Sequence, residues 1–277
     1  MKTSARLPLL ATCALFAPLS ASAAVSDPVQ ASTVTAAPEP AIQLRDTAAI
    51  DAAVASADRP RGDVGRDAVS RPKDIMAFLG VKPGMRVIDM FSAGGYYTEL
   101  LARAVGVKGQ VIAYNNPPYA KFAAKDIEQR YAGDRLGNVR QVTAEVDELV
   151  LAPASLDAAL FVMSFHDAYW RPADGGWNRT DPDEMLRRLY RALKPGGVVV
   201  VQDHVANPGG DTAKVVDALH RIDPSVVRAA FERAGFVFDR ASDLLARPDD
   251  DHSKLVFDES IRGKTDQFIY RFRKPNP

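Results

Sequence analysis

The chain has 277 residues, enough for one large α/β domain or two small ones. Nearly half are hydrophobic and a quarter are charged, an ordinary make-up for a globular protein. Lys and Arg together number 35, as do Asp and Glu, so no net basic charge supports a nucleic-acid partner bound through a basic surface.

The first 23 residues read as a secretory signal peptide: Lys2 and Arg6, then the apolar run LPLLATCALFAPL, then Ala21-Ser22-Ala23 before a cleavage point after Ala23. The run is too short to span a membrane. A periplasmic or secreted location follows, with no membrane insertion after cleavage. Cys13 is the sole cysteine and leaves with this segment, so the mature chain has no disulfide, thiolate nucleophile or cysteine metal ligand. Residues 24–44 are rich in Ala, Pro, Ser and Thr without periodicity and read as a flexible linker; residues 45–277 read as the folded domain.

Residues 45–80 carry two helical patterns, the second starting near Pro72 with Ile75, Met76 and Leu79 on one face and Gly80 as its stop. Strands are expected at 86–90, 110–114, 139–143, 156–164 and 197–203. A helical pattern follows each of the first four, least clearly after Thr143. Apolar, β-branched strands alternating with helices mean parallel strands with crossover helices, hence a doubly wound sheet. A helix at 224–234 stops at Gly235, followed by the strand FVFDR, and QFIYRFR forms the last strand. Between these two strands runs a long charged loop, 241–265, of a length that is usually functional or disordered.

The stretches VIDMFSAGGYYTELLA, LDAALFVMSFHD and LYRALKPGGVVVVQDH, with an acidic turn near Glu145, resemble class I S-adenosylmethionine-dependent methyltransferases. The run from HRIDPSVVRAAFERAGF to the C-terminus is similar to exported predicted methyltransferases of Gram-negative bacteria. The resemblance implies a Rossmann-like α/β sheet of seven strands with the last antiparallel, S-adenosylmethionine as cofactor and a small-molecule acceptor. It implies that Asp89, at the end of the first strand, orients the glycine loop and the methionine part of the cofactor. Ser92, Gly94 and Gly95 then belong to that loop, with Phe91 and Ala93 standing where the family has glycines. Tyr96 and Tyr97 wall a pocket or fill the core. Asn115 takes the place of the family's ribose-binding carboxylate, an amide with an acceptor but no charge, or is simply a turn residue in Asn-Asn-Pro-Pro. Glu145 matches the acidic residue that meets adenine, with Asp147 as a shifted alternative.

The ends of the fourth and fifth strands offer His166-Asp167 and Asp203-His204. Ligands of doubly wound sheets sit at strand carboxyl ends, so two of the four histidines converge with two carboxylates on one rim. Three chemistries suit this set: His166 or Asp203 as proton acceptor in methyl transfer; a divalent metal held by His166, Asp167, Asp203 and His204; or a metal-assisted hydrolase, lyase or ligand-binding protein that keeps the fold without methyl transfer. Arg262 and Lys264, with Asp266, clamp an anionic substrate or belong to a solvated loop. Gly175, Gly176 and Trp177 read as a lid, and Met163 and Phe165 as core.

Overall fold

The computed structural model describes residues 47–277 except 174, 176, 178 and 179. The signal peptide, Cys13, the linker and Gly176 lie outside the described residues. Three helices precede the first strand, where two were expected: α1 (Ala48–Val54), α2 (Arg61–Ser70) and α3 (Pro72–Leu79). Two prolines make the divisions. Pro60 stands immediately before α2, and Pro72 opens α3 behind Arg71, which adopts a left-handed conformation (φ 47°). Proline disfavours the helical conformation in the residue before it, so each X-Pro pair becomes a helix boundary.

From there the chain alternates: β1 (Arg86–Met90), α4 (Tyr96–Val105), β2 (Gln110–Asn115), α5 (Pro117–Phe122), α6 (Ala124–Tyr131), β3 (Val139–Thr143), β4 (Leu156–Val162), α7 (Pro182–Ala192), β5 (Leu193–His204), α8 (Thr212–Leu219), α9 (Pro224–Arg233), β6 (Val237–Ser242) and β7 (Gln267–Arg273). The sheet runs β3-β2-β1-β4-β5-β7-β6, with β1 to β5 parallel and β7 antiparallel to both its neighbours. This is the seven-stranded Rossmann-like architecture expected. After β3 the chain makes only a single 3-10 turn, Val146–Glu148, in place of the expected helix. β4 ends two residues early because Met163 turns left-handed (φ 51°).

Successive strand residues point to opposite faces, so the sheet carries two cores. Ile88, Tyr114, Phe161, Phe165 and Phe231 build one, and Val87, Leu100, Leu101 and Leu160 build the other with Ile75 and Leu79 of α3. Phe231 of α9 stacks on Phe272 of β7 at 4.2 Å, tying the antiparallel strand to the helical layer. Both sides of β1 are apolar, which leaves its carboxyl end as the place where polar groups gather.

The long charged loop is held in place. Arg221, wholly buried, pairs with Asp250 at 2.9 Å and donates to the Lys254 carbonyl. His252 Nε2 meets Asp266 at 2.9 Å, and Asp266 also accepts from the Arg247 amide. A buried arginine without its carboxylate would be costly, so Asp250 fixes the loop as firmly as a core residue does.

Candidate active site

The loop joining β1 to α4 forms the floor of a cavity of about 480 Å³, lined by Asp89, Phe91, Ser92, Ala93, Gly94 and Tyr96 from β1, the loop and α4, and roofed by α2 and α6. That size lies within the usual range for small-molecule sites. Phe91 (φ 53°), Ala93 (φ 47°) and Gly95 (φ 80°) all adopt the left-handed conformation. The first two are non-glycine residues in a region that disfavours a Cβ, so surrounding contacts must hold them there.

Asn115 supplies one such contact. Its Oδ1 accepts from the Ala93 amide at 2.8 Å and its Nδ2 donates to the Ala93 carbonyl at 3.1 Å. Both ends of the amide therefore brace the loop. A carboxylate could make only the first of these bonds. Gly94 and Gly95 are needed on the roof side: a Cβ on Gly94 would come within 2.6 Å of Asp126, and one on Gly95 within 2.7 Å of Arg130. Arg130 donates to the Gly94 carbonyl and pairs with Glu99 at 2.6 Å and Asp63 at 2.8 Å, strapping loop, α4 and α2 together. Three arginines (Arg103, Arg130 and Arg135) surround Glu99. They outweigh its burial and bring its carboxyl down to about 2.

Asp89 is buried behind the loop and accepts from the Thr98 hydroxyl at 2.6 Å. Burial pushes its carboxyl up to about 7, against the pull of Thr98 and Arg130. Tyr96 and Tyr97 both line the cavity; Tyr96 donates to Asp67 and lies beneath the Arg66 guanidinium, and the Tyr97 hydroxyl donates to the Ser70 carbonyl. The Ser92 hydroxyl is buried in the cavity wall with no hydrogen-bond partner among the described residues. Glu145, beyond the end of β3, is not part of this wall.

Sequence reasoning missed Tyr119. Asn116 caps α5 by accepting from the Tyr119 amide at 2.9 Å, and Pro117 follows at the first helical position. Asn-Asn-Pro-Pro is thus a helix start as well as a turn, a signal available in the residues themselves. The Tyr119 ring stacks on Phe91 at 5.3 Å, and its hydroxyl donates to Asp167. It joins the loop to the ends of β4 and β5.

There a 3-10 turn, His166–Tyr169, sets His166 against β5. Asp203 accepts from the His166 amide at 2.9 Å and from its Nδ1 at 2.7 Å, while Nε2 lies 3.3 Å from Asp167 Oδ1. Burial opposes a charge on His166, but Asp167 and Asp203 outweigh it and raise the imidazole to about 9. Burial likewise works against a charged Asp203, and His166 overcomes it, so Asp203 falls below its ordinary value. His204 does not join this set through its ring nitrogen: Nδ1 meets the Thr265 hydroxyl at 2.8 Å, and burial lowers its imidazole to about 4. His220 comes in instead, with Nδ1 3.7 Å from Asp167 Oδ1. It follows α8 in a left-handed conformation (φ 48°) that no sequence signal foretold.

Trp177 and Trp170 continue the aromatic wall from Tyr119 to His220, at centroid distances of 4.9, 4.9 and 5.1 Å. Arg262 and Lys264 are exposed and outside the cavity wall, and Asp266 is taken up by the loop clamp.

A family profile described as a methyltransferase domain matches residues 88–201, from β1 into β5. The ubiquinone/menaquinone biosynthesis C-methyltransferase of Idiomarina loihiensis is 31% identical over 123 residues, 44% of this chain and 43% of that protein. The protein of the same description from Photorhabdus laumondii is 27% identical over 183 residues, 65% of this chain and 67% of that one. The chain spans less than half the length of the first of these relatives. Among solved structures, a SAM-dependent methyltransferase from Aquifex aeolicus superposes with a TM-score of 0.54 at 20% identity, covering 83% of this chain and 98% of that one.

Proposed function

We propose that the chain is a class I S-adenosylmethionine-dependent methyltransferase that methylates a small-molecule acceptor bound between the aromatic wall and Asp167, a reading supported by the methyltransferase-domain match over residues 88–201 and by the sheet order. The observation that carries this reading is Tyr119, whose ring walls the cavity above the β1–α4 loop and whose hydroxyl reaches Asp167. One residue thus borders both the donor half and the acceptor half of the site.

The residues present fit the cofactor. The unpartnered Ser92 hydroxyl offers a donor and an acceptor in the wall. Asp89, when ionised, and Asp126 supply negative charge to a cationic ligand, Tyr96 and Tyr119 supply ring faces, and Arg66 supplies a partner for a carboxylate. S-adenosylmethionine, when bound, supplies an electrophilic methyl group. The chain's own residues do the rest. Asn115 holds Ala93 so that the loop keeps its shape without a ligand. Asp203 orients His166, and His166 with Tyr119 fixes Asp167. The acceptor's hydroxyl hydrogen-bonds to Asp167, to which its proton passes. Trp170 and Trp177 exclude water from the acceptor side.

For the acceptor we favour a hydroxylated aromatic or quinol ring. The named relatives act in quinone biosynthesis, and a ring wall beside a carboxylate suits a flat molecule with a hydroxyl. The pattern of residues 1–23 supports export of the mature chain, tested by sequencing the N-terminus of the protein recovered from the producing cell. Incubation with methyl-labelled S-adenosylmethionine and a panel of phenols and hydroquinones tests the activity. Label should enter at least one ring compound and not aliphatic amines or peptides. Transfer confined to the latter would refute the acceptor assignment.

A further inference from the structure

We propose that His166, Asp167 and His220 form a binding site for a zinc-class divalent cation at the carboxyl ends of β4 and β5. One potential ligand atom from each lies within 4.8 Å of the others. His166 Nε2 and His220 Nδ1 are 3.3 Å and 3.7 Å from the same Asp167 oxygen. Zinc bonds to nitrogen and carboxylate oxygen at about 2.0–2.2 Å, which places tetrahedral ligands at about these separations from one another. Small side-chain rotations suffice to close the set.

The surroundings are those of a metal centre. Asp203 bonds His166 Nδ1 at 2.7 Å, which turns Nε2 toward the site. Tyr119 donates to the second oxygen of Asp167 and leaves the first for the ion. Among the described residues, the ion pairs of Asp167 and Asp203 are with histidines alone. His220 is half-buried and adopts a left-handed conformation, with its ring between Trp170 at 5.1 Å and Phe257 at 5.2 Å. Residues other than glycine kept in that conformation cluster at functional sites. Two imidazoles and one carboxylate select zinc and its transition-metal neighbours over magnesium or calcium. Three protein ligands leave a fourth position for a hydroxyl of the ligand.

The set differs from the one expected from sequence. Asp203 orients a ligand instead of being one, and His204 is turned to Thr265. Ion binding is also separable from methyl transfer, because it is measured with no methyl donor present and either can fail alone.

The test is calorimetric titration of the chelator-treated, dialysed full chain with Zn²⁺, repeated with Co²⁺ while recording its visible absorption. The expected result is one saturable equivalent per chain and a cobalt spectrum of low-symmetry, nitrogen-containing coordination. His220→Ala should weaken binding at least about tenfold and Asp203→Asn about 10- to 100-fold, the usual cost of losing a ligand's orienting partner. His252→Ala, at the loop clamp, should leave the affinity unchanged. Absence of a saturable equivalent in the native chain overturns the assignment, as does an affinity that His220→Ala leaves intact. Should His220→Ala fail to fold, the cobalt spectrum of the native chain decides, and bands of purely oxygen coordination reject the site.

Discussion

The Tyr119 hydroxyl donates to Asp167 across 48 residues of sequence, while its ring lies stacked on Phe91 at 5.3 Å. Burial and the neighbouring carboxylate raise the Tyr119 phenol well above its ordinary value, so it stays a donor at any working pH. Tyr119→Phe keeps the ring and removes the hydrogen bond to a buried carboxylate. Losing such a bond costs about 1–3 kcal/mol, so kcat should fall about 10- to 100-fold. KM for S-adenosylmethionine should change little. Steady-state kinetics with each substrate varied in turn separates the two effects.

Asn115→Asp distinguishes two roles for one residue. If the position serves the ribose, a carboxylate should tighten cofactor binding. Asn115 instead donates to the Ala93 carbonyl, which a carboxylate would repel. Asn115→Asp should therefore bind S-adenosylmethionine about tenfold more weakly than the native chain, with a lower Tm. Calorimetry and a thermal melt give both numbers.

Asp89 carries a pH signature of known sign. Its folded value, about 7, lies above the ordinary 3.8, so the folded state binds a proton that the unfolded state releases. This stabilising contribution is complete below the ordinary value and is lost as pH rises through 7. Asp89→Asn should remove that slope from a plot of unfolding free energy against pH. A cationic ligand favours the ionised form, so cofactor binding to the native chain should release a proton below pH 7. Calorimetry in two buffers of different ionisation enthalpy measures that release.

Gly95→Ala probes the crowded side of the loop. The added Cβ would sit within 2.7 Å of Arg130 and Tyr131, at a φ of 80° that alanine disfavours. A loss of about 1–3 kcal/mol in unfolding free energy is expected from urea titration. Gly84→Ala, also at positive φ but with nothing within 4 Å, should cost less and isolates the crowding from the backbone strain.

The strands were legible because their apolar, β-branched runs alternate with helix-length segments. β1, β3 and β7 begin and end where the pattern places them. The carboxyl-end rule located His166, Asp167 and Asp203. What the residues could not reveal depends on side-chain direction and on backbone left-handed turns. His204 follows Asp203 and so points elsewhere, to Thr265. His220 and Met163 take left-handed conformations without a glycine, and only tertiary packing decides such cases. The helix missing after β3 reflects Val146 and Leu149, which are buried against the core from a single turn.

The most direct test of the account is calorimetric titration of the native chain with S-adenosylmethionine and with its demethylated product. One saturable equivalent of each, competing for a single site and weakened by Asn115→Asp, is the predicted result. No heat of binding from either at millimolar concentration would contradict the account at its centre.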